Sequence, residues 1–470
     1  MTLESRDQRY LAEQVGEFVA RTEFGDVPDK VLQRARHLVL DAVGIAFAST
    51  AFPFAGVARD ALAAFGGGDH VVFGMADRLT ARDAAVLNGI LIHGLDFDDT
   101  HLPAVAHVTS VVLPAALSAA VASNASTRDL LLGYVLGVEV MARVGMGAAG
   151  GLHDVGFHPT AVAGGFGAAV AAGKIMGLDA GGLATAQGIV GSQAAGLMEF
   201  LEDGSWTKRF HPGWAAASGL TAASFARAGW SGPPGIYEGR FGLYATHVPS
   251  RDARPAAVSE DLGVSWELLR TAVKPFPVCH FLHAFADAAL ILRNEHALRA
   301  EDIAGIRCAI HPVPRKVVCE PAGAKQAPRD EYDAKFSLPF AVAASLVRGR
   351  LTLDELEADA RSDTRIRELA RKVQVDDDPD SAFPSAYSGF VEIALTDGRV
   401  VRHREQYNRG HEQRPLTDEE IDRKFRGTIG RVADRETADR VRRAVLALGD
   451  SRPASGFAEA CGGPAVTGGA

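Results

Sequence analysis

Cysteine is scarce in this chain, with four residues among 470. No two of them form a CxxC pair, which argues against a zinc ribbon or an iron–sulfur cluster and fits a reducing compartment. The chain also lacks a P-loop, an HExxH helix and a GxSxG elbow. One GxGxxG string, Gly145–Gly150, follows a helical stretch instead of a strand, and we interpret it as a chance match. The chain therefore offers no convincing sign of a nucleotide cofactor, a zinc protease site or a serine nucleophile, and we expect no cofactor and no metal.

An excess of basic charge and the usual membrane signals are missing as well. The formal net charge of −9 argues against a nucleic-acid partner. The start of the chain is polar and acidic, unlike the basic and then apolar start of a signal peptide. The longest uncharged run, Val108–Thr127, contains a proline and several serines, which is typical of a buried helix rather than a membrane span. We therefore expect a soluble, cytoplasmic protein.

Glycine, by contrast, is abundant, with 50 residues, and much of it lies beside alanine in apolar runs such as residues 164–173. Glycine costs a helix about 0.5–1 kcal/mol relative to alanine. Helices that are rich in glycine therefore indicate closely approaching backbones or room for a ligand.

Helical periodicity dominates the first half of the chain and returns at its end. The predicted helices there are Lys30–Ser49, Ala81–Leu95, Ser110–Ser123, Thr127–Val144, Thr160–Met176, Leu183–Phe200, Ala215–Ala228, Thr417–Phe425 and Arg435–Leu448. Strand signals are confined to the middle of the chain, where Phe390–Leu395 and Arg399–Arg404 flank an Asp-Gly turn.

This pattern predicts a mainly α protein. A large helical domain, residues 1–268 and 402–450, would contain a smaller inserted α+β domain at residues 269–401. The tail, residues 451–470, is rich in glycine, alanine and proline, and we expect it to be disordered.

The segment from Asp96 to His107 carries three carboxylates, a hydroxyl and two imidazoles between apolar helices. Charged groups are costly to bury without partners, so such a cluster is a candidate site. Asp96 and Thr100 would share a face if the segment were helical. Pro103 interrupts a helix, which predicts His107 on a loop or at the next helix start. An exposed acidic loop with helix caps is an equally balanced alternative.

Three further segments place polar groups at the ends of apolar stretches. His158 precedes a glycine-rich helix, Lys208 stands in a run with an arginine and a histidine, and Lys274 lies among prolines and apolar residues. Desolvation would lower the pKa of such a lysine and favour anion binding or chemistry. The ordinary alternatives are a helix entry, a solvated basic loop and a rigid connector with a snorkelling lysine.

Taken in order, these segments resemble the motifs of the MmgE/PrpD family, which includes 2-methylcitrate dehydratase, cis-aconitate decarboxylase and iminodisuccinate epimerase. The resemblance runs from about residue 8 to about residue 450. Its motifs here are Leu95-Asp96-Phe97-Asp98-Asp99-Thr100, Gly156-Phe157-His158-Pro159, the segment Lys208–Gly213, Lys274-Pro275-Phe276-Pro277 and the segment Tyr332–Phe340.

The resemblance implies a large helical domain with an inserted α+β lid domain, assembled as a homodimer. It implies an active site between the domains that uses no metal or organic cofactor and binds a small carboxylate. The site residues that it assigns are Asp96, Thr100, His107, His158, Lys208 and Lys274.

These assignments suggest a lyase acting on a di- or tricarboxylate. Lys208 and Lys274 would hold substrate carboxylates, and His107 or His158 would move a proton at the adjacent carbon. Asp96 would orient a histidine or lysine, and a threonine hydroxyl would hydrogen-bond the substrate. Which histidine serves as acid and which as base stays open.

Two departures from the family pattern bear on the reaction. Val108 follows His107 where proline is frequent, and Phe340 stands near a position where the decarboxylase has a tyrosine. The lost hydroxyl favours a 2-methylcitrate dehydratase-like hydro-lyase over a decarboxylase. Decarboxylation and epimerisation remain alternatives, as do a Mg²⁺ enzyme that uses Asp96, Asp98 and Asp99 and a non-catalytic carboxylate-binding homologue.

Overall fold

A computed structural model describes residues 9–248 and 252–463. The chain divides into two compact units, of which the second is Ala272–Leu416 and the first contains the chain on both sides of it. The second unit therefore ends later than the predicted residue 401. The reason is that Asn408 and Arg409 are bonded inside it, to His280 and Asp287 respectively.

The first unit is built mainly from α-helices. Those before the second unit are α1 Leu11–Arg21, α2 Asp29–Ser49, α3 Pro53–Ala63, α4 Ala81–His93, α5 Thr109–Ala122, α6 Thr127–Gly147, α7 Gly151–Asp154, α8 Pro159–Ile175, α9 Ala180–Val190, α10 Phe200–Asp203, α11 Thr207–Arg227 and α12 Leu243–His247. Short strands also occur, β1 His70–Val71, β2 Arg78–Leu79 and β3 Thr100–His101, together with 3₁₀ turns at Phe24–Asp26, Gly191–Gln193, Pro255–Val258 and Glu267–Arg270. The strand β4, Thr271–Ala272, includes the last residue of this part and the first residue of the second unit.

Glycine lets the central helices approach closely. Helix α8 lies between α6 and α11, and α11 also lies against α4. A Cβ added at Gly167 of α8 would lie 2.6 Å from the carbonyl oxygen of Gly137 in α6. One added at Gly213 of α11 would lie 2.1 Å from the carbonyl oxygen of Val86 in α4. The expectation that glycine-rich runs mark close helix contacts is thus confirmed.

The second unit is an α+β structure with a four-stranded sheet. Its helices are α13 His283–Glu295, α14 Pro312–Val318, α15 Ala322–Gln326, α16 Glu331–Lys335, α17 Leu338–Arg348, α18 Ala358–Ser362 and α19 Thr364–Arg371, and 3₁₀ turns lie at His280–Leu282, Ala300–Asp302 and Leu353–Leu356. The strands are β5 Ile303–Ile310, β6 Val373–Asp377, β7 Gly389–Leu395 and β8 Val400–Glu405, in the order β6-β5-β7-β8. Only β5 and β6 are parallel. Helices α13, α17 and α19 share an apolar core with the sheet.

The chain then returns to the first unit through α20 Asp418–Ile429, α21 Arg435–Leu446 and α22 Ala454–Cys461. The predicted disorder of residues 451–470 is wrong for α22. Its apolar residues recur at helical spacing, and Phe457 and Cys461 are buried. The carbonyl of Cys461 accepts a 3.0 Å hydrogen bond from the backbone N–H of Gly74. Residues 464–470 lie outside the described residues.

Two predicted elements in the first unit need correction. The helix expected over Leu183–Phe200 ends at Val190, and the chain turns at Gly191 and again at Gly196, whose φ is +135°. The alternative of a solvated basic loop at Lys208 is also wrong. Helix α11 begins at Thr207, and the helical turn buries Arg209 and His211.

Helix α6 is long and apolar enough to cross a membrane, and α2 with α3 would pass the same test as a bent pair. The apolar window of α6 is 94% buried inside the protein. Buried core helices of soluble proteins meet the same criteria, so this is weak evidence for a span.

We expect Gly213→Ala to destabilise the first unit by about 1–3 kcal/mol, because the added methyl group would overpack the contact between α4 and α11. Gly427→Ala in α20 is the matched control, since nothing lies within 4 Å of an added Cβ there. That change should be neutral or stabilising by up to about 1 kcal/mol. Urea unfolding measures both, and equal stabilities for the two variants would contradict the packing argument.

Candidate active site

The loop between α4 and α5 carries most of the acidic groups of the site. Asp96 has a φ of +52°, in the left-handed region, where strain is often tied to function. Lys424 of α20 fixes the loop from outside: its Nζ lies 2.9 Å from the carbonyl oxygen of Phe97 and 2.7 Å from Asp41. The loop therefore has a defined shape and is not the exposed acidic loop of the ordinary alternative.

Asp98 lies between two imidazoles at the centre of the loop. Its carboxylate oxygens are 3.1 and 3.0 Å from Nδ1 of His93, and Oδ1 is 3.3 Å from Nδ1 of His107. All three side chains are buried. Burial lowers the pKa of His93 to about 4, so this imidazole is neutral and donates to an ionised carboxylate.

Helix α11 brings a lysine to the same loop. The Nζ of Lys208 lies 3.2 Å from Oδ1 of Asp96, and the side chain of Lys208 is 12% exposed. Oδ1 of Asp96 is also 3.8 Å from Nε2 of His107. The next residue on the helix, Arg209, donates a 2.8 Å hydrogen bond to the carbonyl of Gly94. The ammonium group is thus held at the edge of the acidic loop, where a substrate anion could reach it.

A second pair of imidazoles lies beside the first. His158 caps the start of α8, and its Nδ1 is 3.1 Å from Nδ1 of His211 in α11. The ring centroids of His158 and His107 are 6.4 Å apart. Burial, reinforced by the charge of Lys208, lowers the pKa of His158 well below its ordinary value and that of His211 to about 4. Both rings are therefore neutral near pH 7, and one donates to the other.

The structure brings four of the six predicted site residues together: Asp96, His107, His158 and Lys208. Thr100 follows on β3 instead of sharing a helical face with Asp96, since α4 ends at His93, and its buried hydroxyl has no hydrogen-bond partner among the described residues. His107 precedes α5, as Pro103 predicted. Lys274 belongs to the second unit and is buried.

Sequence reasoning missed three members of the cluster, His93, Asp98 and His211. Asp98 lies in the motif Leu95–Thr100 and His211 in the segment Lys208–Gly213, but the spacing of the residues does not show which atoms these side chains contact. His93 ends α4 directly after the apolar run Ile90-Leu91-Ile92, two residues before the acidic motif. A lone imidazole in such a position was the available signal.

Asp99 has a structural role instead. Its carboxyl group accepts hydrogen bonds from the hydroxyl and from the backbone N–H of Thr109. The same hydroxyl lies 2.6 Å from the phenol oxygen of Tyr134. Burial raises the pKa of Asp99 to about 7. The magnesium alternative needs Asp99 as a ligand together with Asp96 and Asp98. Both carboxylate oxygens of Asp99 are instead hydrogen-bonded to Thr109, which argues against that alternative.

Four side chains of the cluster could still offer ligands to a metal ion. Single donor atoms of His93, Asp96, Asp98 and His107 lie within 4.8 Å of one another. Imidazole and carboxylate donors suit zinc, manganese or iron. The ammonium group of Lys208, however, lies against Asp96, so a cation at this place would have to displace it.

Fold and site define a two-part, mainly helical enzyme in which acids, imidazoles and a lysine converge within one helical unit. The model of the MmgE/PrpD N-terminal domain matches residues 13–256, and that of the MmgE/PrpD C-terminal domain matches residues 276–450. The chain belongs to the MmgE/PrpD family.

Its relatives are lyases, and so is this protein. The chain is 31% identical to cis-aconitate decarboxylase of Homo sapiens over 94% of its own length and 92% of the relative's. It is 31% identical to the Mus musculus enzyme of the same name, over 93% and 90% of the two chains. Identity to the Aspergillus terreus cis-aconitate decarboxylase is 27%, over 90% of each chain.

The buried neutral histidines predict that acid destabilises the protein in the pH range where free imidazoles take up protons. In the unfolded chain His93, His158 and His211 take up protons near pH 6.5. In the folded state the pKa of His93 and that of His211 are lowered to about 4, and the pKa of His158 is also lowered well below its ordinary value. The free energy of unfolding should therefore fall with falling pH between these limits, by up to about 1.4 kcal/mol per pH unit for each histidine.

Urea unfolding at pH 7, 6 and 5 checks this expectation. His211→Gln should reduce the slope of the free energy of unfolding against pH by the contribution of one histidine. Parallel pH dependences for the variant and the wild-type protein would contradict it.

Proposed function

We propose that this protein is a decarboxylase that acts on cis-aconitate or a closely similar unsaturated tricarboxylate. The main support is the similarity to cis-aconitate decarboxylases along 90–94% of the chain. The buried cluster of an ammonium group, carboxylates and imidazoles supports it chemically.

Lys208 is the anion anchor in this proposal. Its ammonium group is nearly buried and lies against the carboxylate of Asp96. A substrate carboxylate that approached this ammonium group would form a charge-assisted pair in a region of low dielectric constant. The resemblance assigns the second carboxylate to Lys274.

The two site histidines differ in a way that suggests their roles. His107 lies 3.8 Å from a carboxylate oxygen of Asp96 and 3.3 Å from one of Asp98, and both carboxylates can accept a ring N–H. His158 faces the neutral ring of His211 and lies near the charge of Lys208, and its pKa is lowered. We therefore assign proton delivery to His107 and neutral hydrogen bonding to His158.

Decarboxylation can then be written with these groups. The C–C bond to one carboxylate breaks, CO₂ leaves, and the electron pair stays on the unsaturated acid. The ammonium group offsets the charge that builds on the remaining carboxylate system. His107 delivers a proton to carbon, and the imidazole regains it from solvent, so the sum is one proton consumed and one CO₂ released.

A dehydratase is the second candidate, because Phe340, buried in α17, supplies no hydroxyl where the resemblance places a tyrosine of the decarboxylase. Such an enzyme would act on a hydroxy acid such as 2-methylcitrate and release water. The same cluster could serve that reaction, with proton removal next to a carboxylate in place of proton delivery.

Proton and carbon NMR in D₂O separates the candidates. With ¹³C-carboxyl-labelled cis-aconitate we expect release of labelled CO₂ and one solvent deuteron in the product. Loss of water from 2-methylcitrate without CO₂ release would instead support the dehydratase. Hydrogen exchange alone would support an epimerase, and binding without turnover a non-catalytic homologue.

Lys208→Met should lower kcat/KM by about 10²-fold or more, as expected for loss of a preorganised charged donor. Lys274→Met should mainly raise KM. Lys30→Met, at an exposed position on α2, is the matched control and should leave both constants unchanged. Steady-state kinetics measures all three variants, and wild-type values for Lys208→Met would remove the proposed anchor.

We also propose that the protein works as a homodimer, as the resemblance implies. Exposed aromatic side chains support this: Phe210 and Trp214 stack with ring centroids 5.5 Å apart on the outer face of α11, 41% and 48% exposed. Paired exposed rings of this kind are common at contact surfaces between proteins.

A further inference from the structure

Asp98 is a buried carboxylate of the site that takes no direct part in the proposed decarboxylation. Its side chain is buried from solvent, and His93 donates to both of its oxygens. Burial alone would raise the pKa of Asp98, but His107 and His93 outweigh it and hold that pKa well below its ordinary value. An ionised carboxylate in this position needs more than one donor.

His107 has a nitrogen that matches this need. Its buried Nδ1 has no aligned hydrogen-bond partner among the described residues, and the Asp98 oxygen lies 3.3 Å from it. Catalytic hydrogen bonds are often poorly aligned until substrate binds. The other nitrogen, Nε2, faces Asp96 at 3.8 Å, on the side where Lys208 lies.

We propose that Asp98, itself held by His93, is the positioning residue of His107. It accepts the Nδ1–H of His107, so that Nε2 is the nitrogen that carries the transferred proton towards the substrate. The direction of proton transfer rests on the proposed function, whereas the choice of nitrogen rests on the contacts alone. Buried carboxylates orient imidazoles in the same way in other enzymes, where they fix the tautomer and stabilise the charged ring.

The neighbouring groups are less suited to accept the Nδ1–H of His107. Asp96 is engaged by Lys208, and it faces the reactive nitrogen rather than the supporting one. His158 is supported by His211, a neutral ring. The titratable groups around His107 are Asp96 and Asp98 in the loop, His93 on α4, His153 on α7, His158 at α8 and Lys208 on α11.

Asp98→Asn keeps the shape of the side chain but removes its charge and its fixed acceptor role. We expect kcat to fall by about 10²-fold or more with KM changed less than threefold. Asp99→Asn, the same substitution at the adjacent buried aspartate, should keep the wild-type kcat.

Variants at His93 test the second part of the support. Asparagine can place an N–H where His93 has Nδ1, so His93→Asn should retain most of the activity. Leucine offers no donor, so the loss of kcat in His93→Leu should approach the loss in Asp98→Asn. Equal losses for both His93 variants would show a role in packing only. Thermal unfolding of each purified variant identifies any that fails to fold.

The tautomer itself can be read without turnover. In ¹⁵N-histidine-labelled protein, with His107 assigned by its loss in His107→Gln, we expect the neutral ring to carry its proton on Nδ1 in the wild type. In Asp98→Asn the Nε2–H form should become populated. An Nε2–H ring in the wild type, or no change in Asp98→Asn, would overturn the proposal. Failure to decarboxylate cis-aconitate would overturn only the proposed function.

Discussion

The close approach of α4 and α11 is the constraint on which the site depends. A Cβ added at Gly89 of α4 would lie 2.5 Å from the Cα atom of Gly213 in α11. Because the two backbones touch, the first turns of α11 lie at the end of α4, where the acidic loop begins. Lys208 therefore contacts Asp96 in the loop, and His211 contacts His158. Arg209 stabilises this arrangement by donating a hydrogen bond to the carbonyl of Gly94.

Glycine-rich helices therefore have a chemical consequence here. Larger residues at these positions would separate the helices and leave charged groups buried without partners, which costs several kcal/mol for each ion. The same packing produces two imidazoles in different environments. His107 lies beside carboxylates, and His158 lies beside a neutral ring. One fold thus supplies a ring flanked by carboxylates and a ring kept neutral, with their centroids 6.4 Å apart.

The sequence predicted much of this architecture because its signals are local. Helical periodicity predicted most helices of the first unit, and the Asp-Gly turn predicted the hairpin formed by β7 and β8. Two helix boundaries were predicted wrongly. The α-helix α9 ends at Val190 and continues only as a 3₁₀ turn at Gly191–Gln193, although the apolar periodicity extends further. Helix α11 begins before Lys208, where charged neighbours and Pro212 are unfavourable signs for a helix.

The candidate site was predictable in composition but not in pairing. The motifs contained Asp96, His107, His158 and Lys208, because clustered polar residues among apolar segments are visible in a sequence. The contact of Asp98 with His93 and His107 depends on a non-helical loop, and that of His158 with His211 joins residues 53 positions apart. Neither follows from spacing alone.

The tie between Lys424 and Asp41 has a consequence for biosynthesis. The two residues are 383 positions apart, and the whole second unit is translated between them. The second unit can fold as soon as it emerges from the ribosome, whereas the acidic loop lacks its contact with Lys424 until α20 has been synthesised. The domain that starts first is completed last, and contacts of such long range are slow to form.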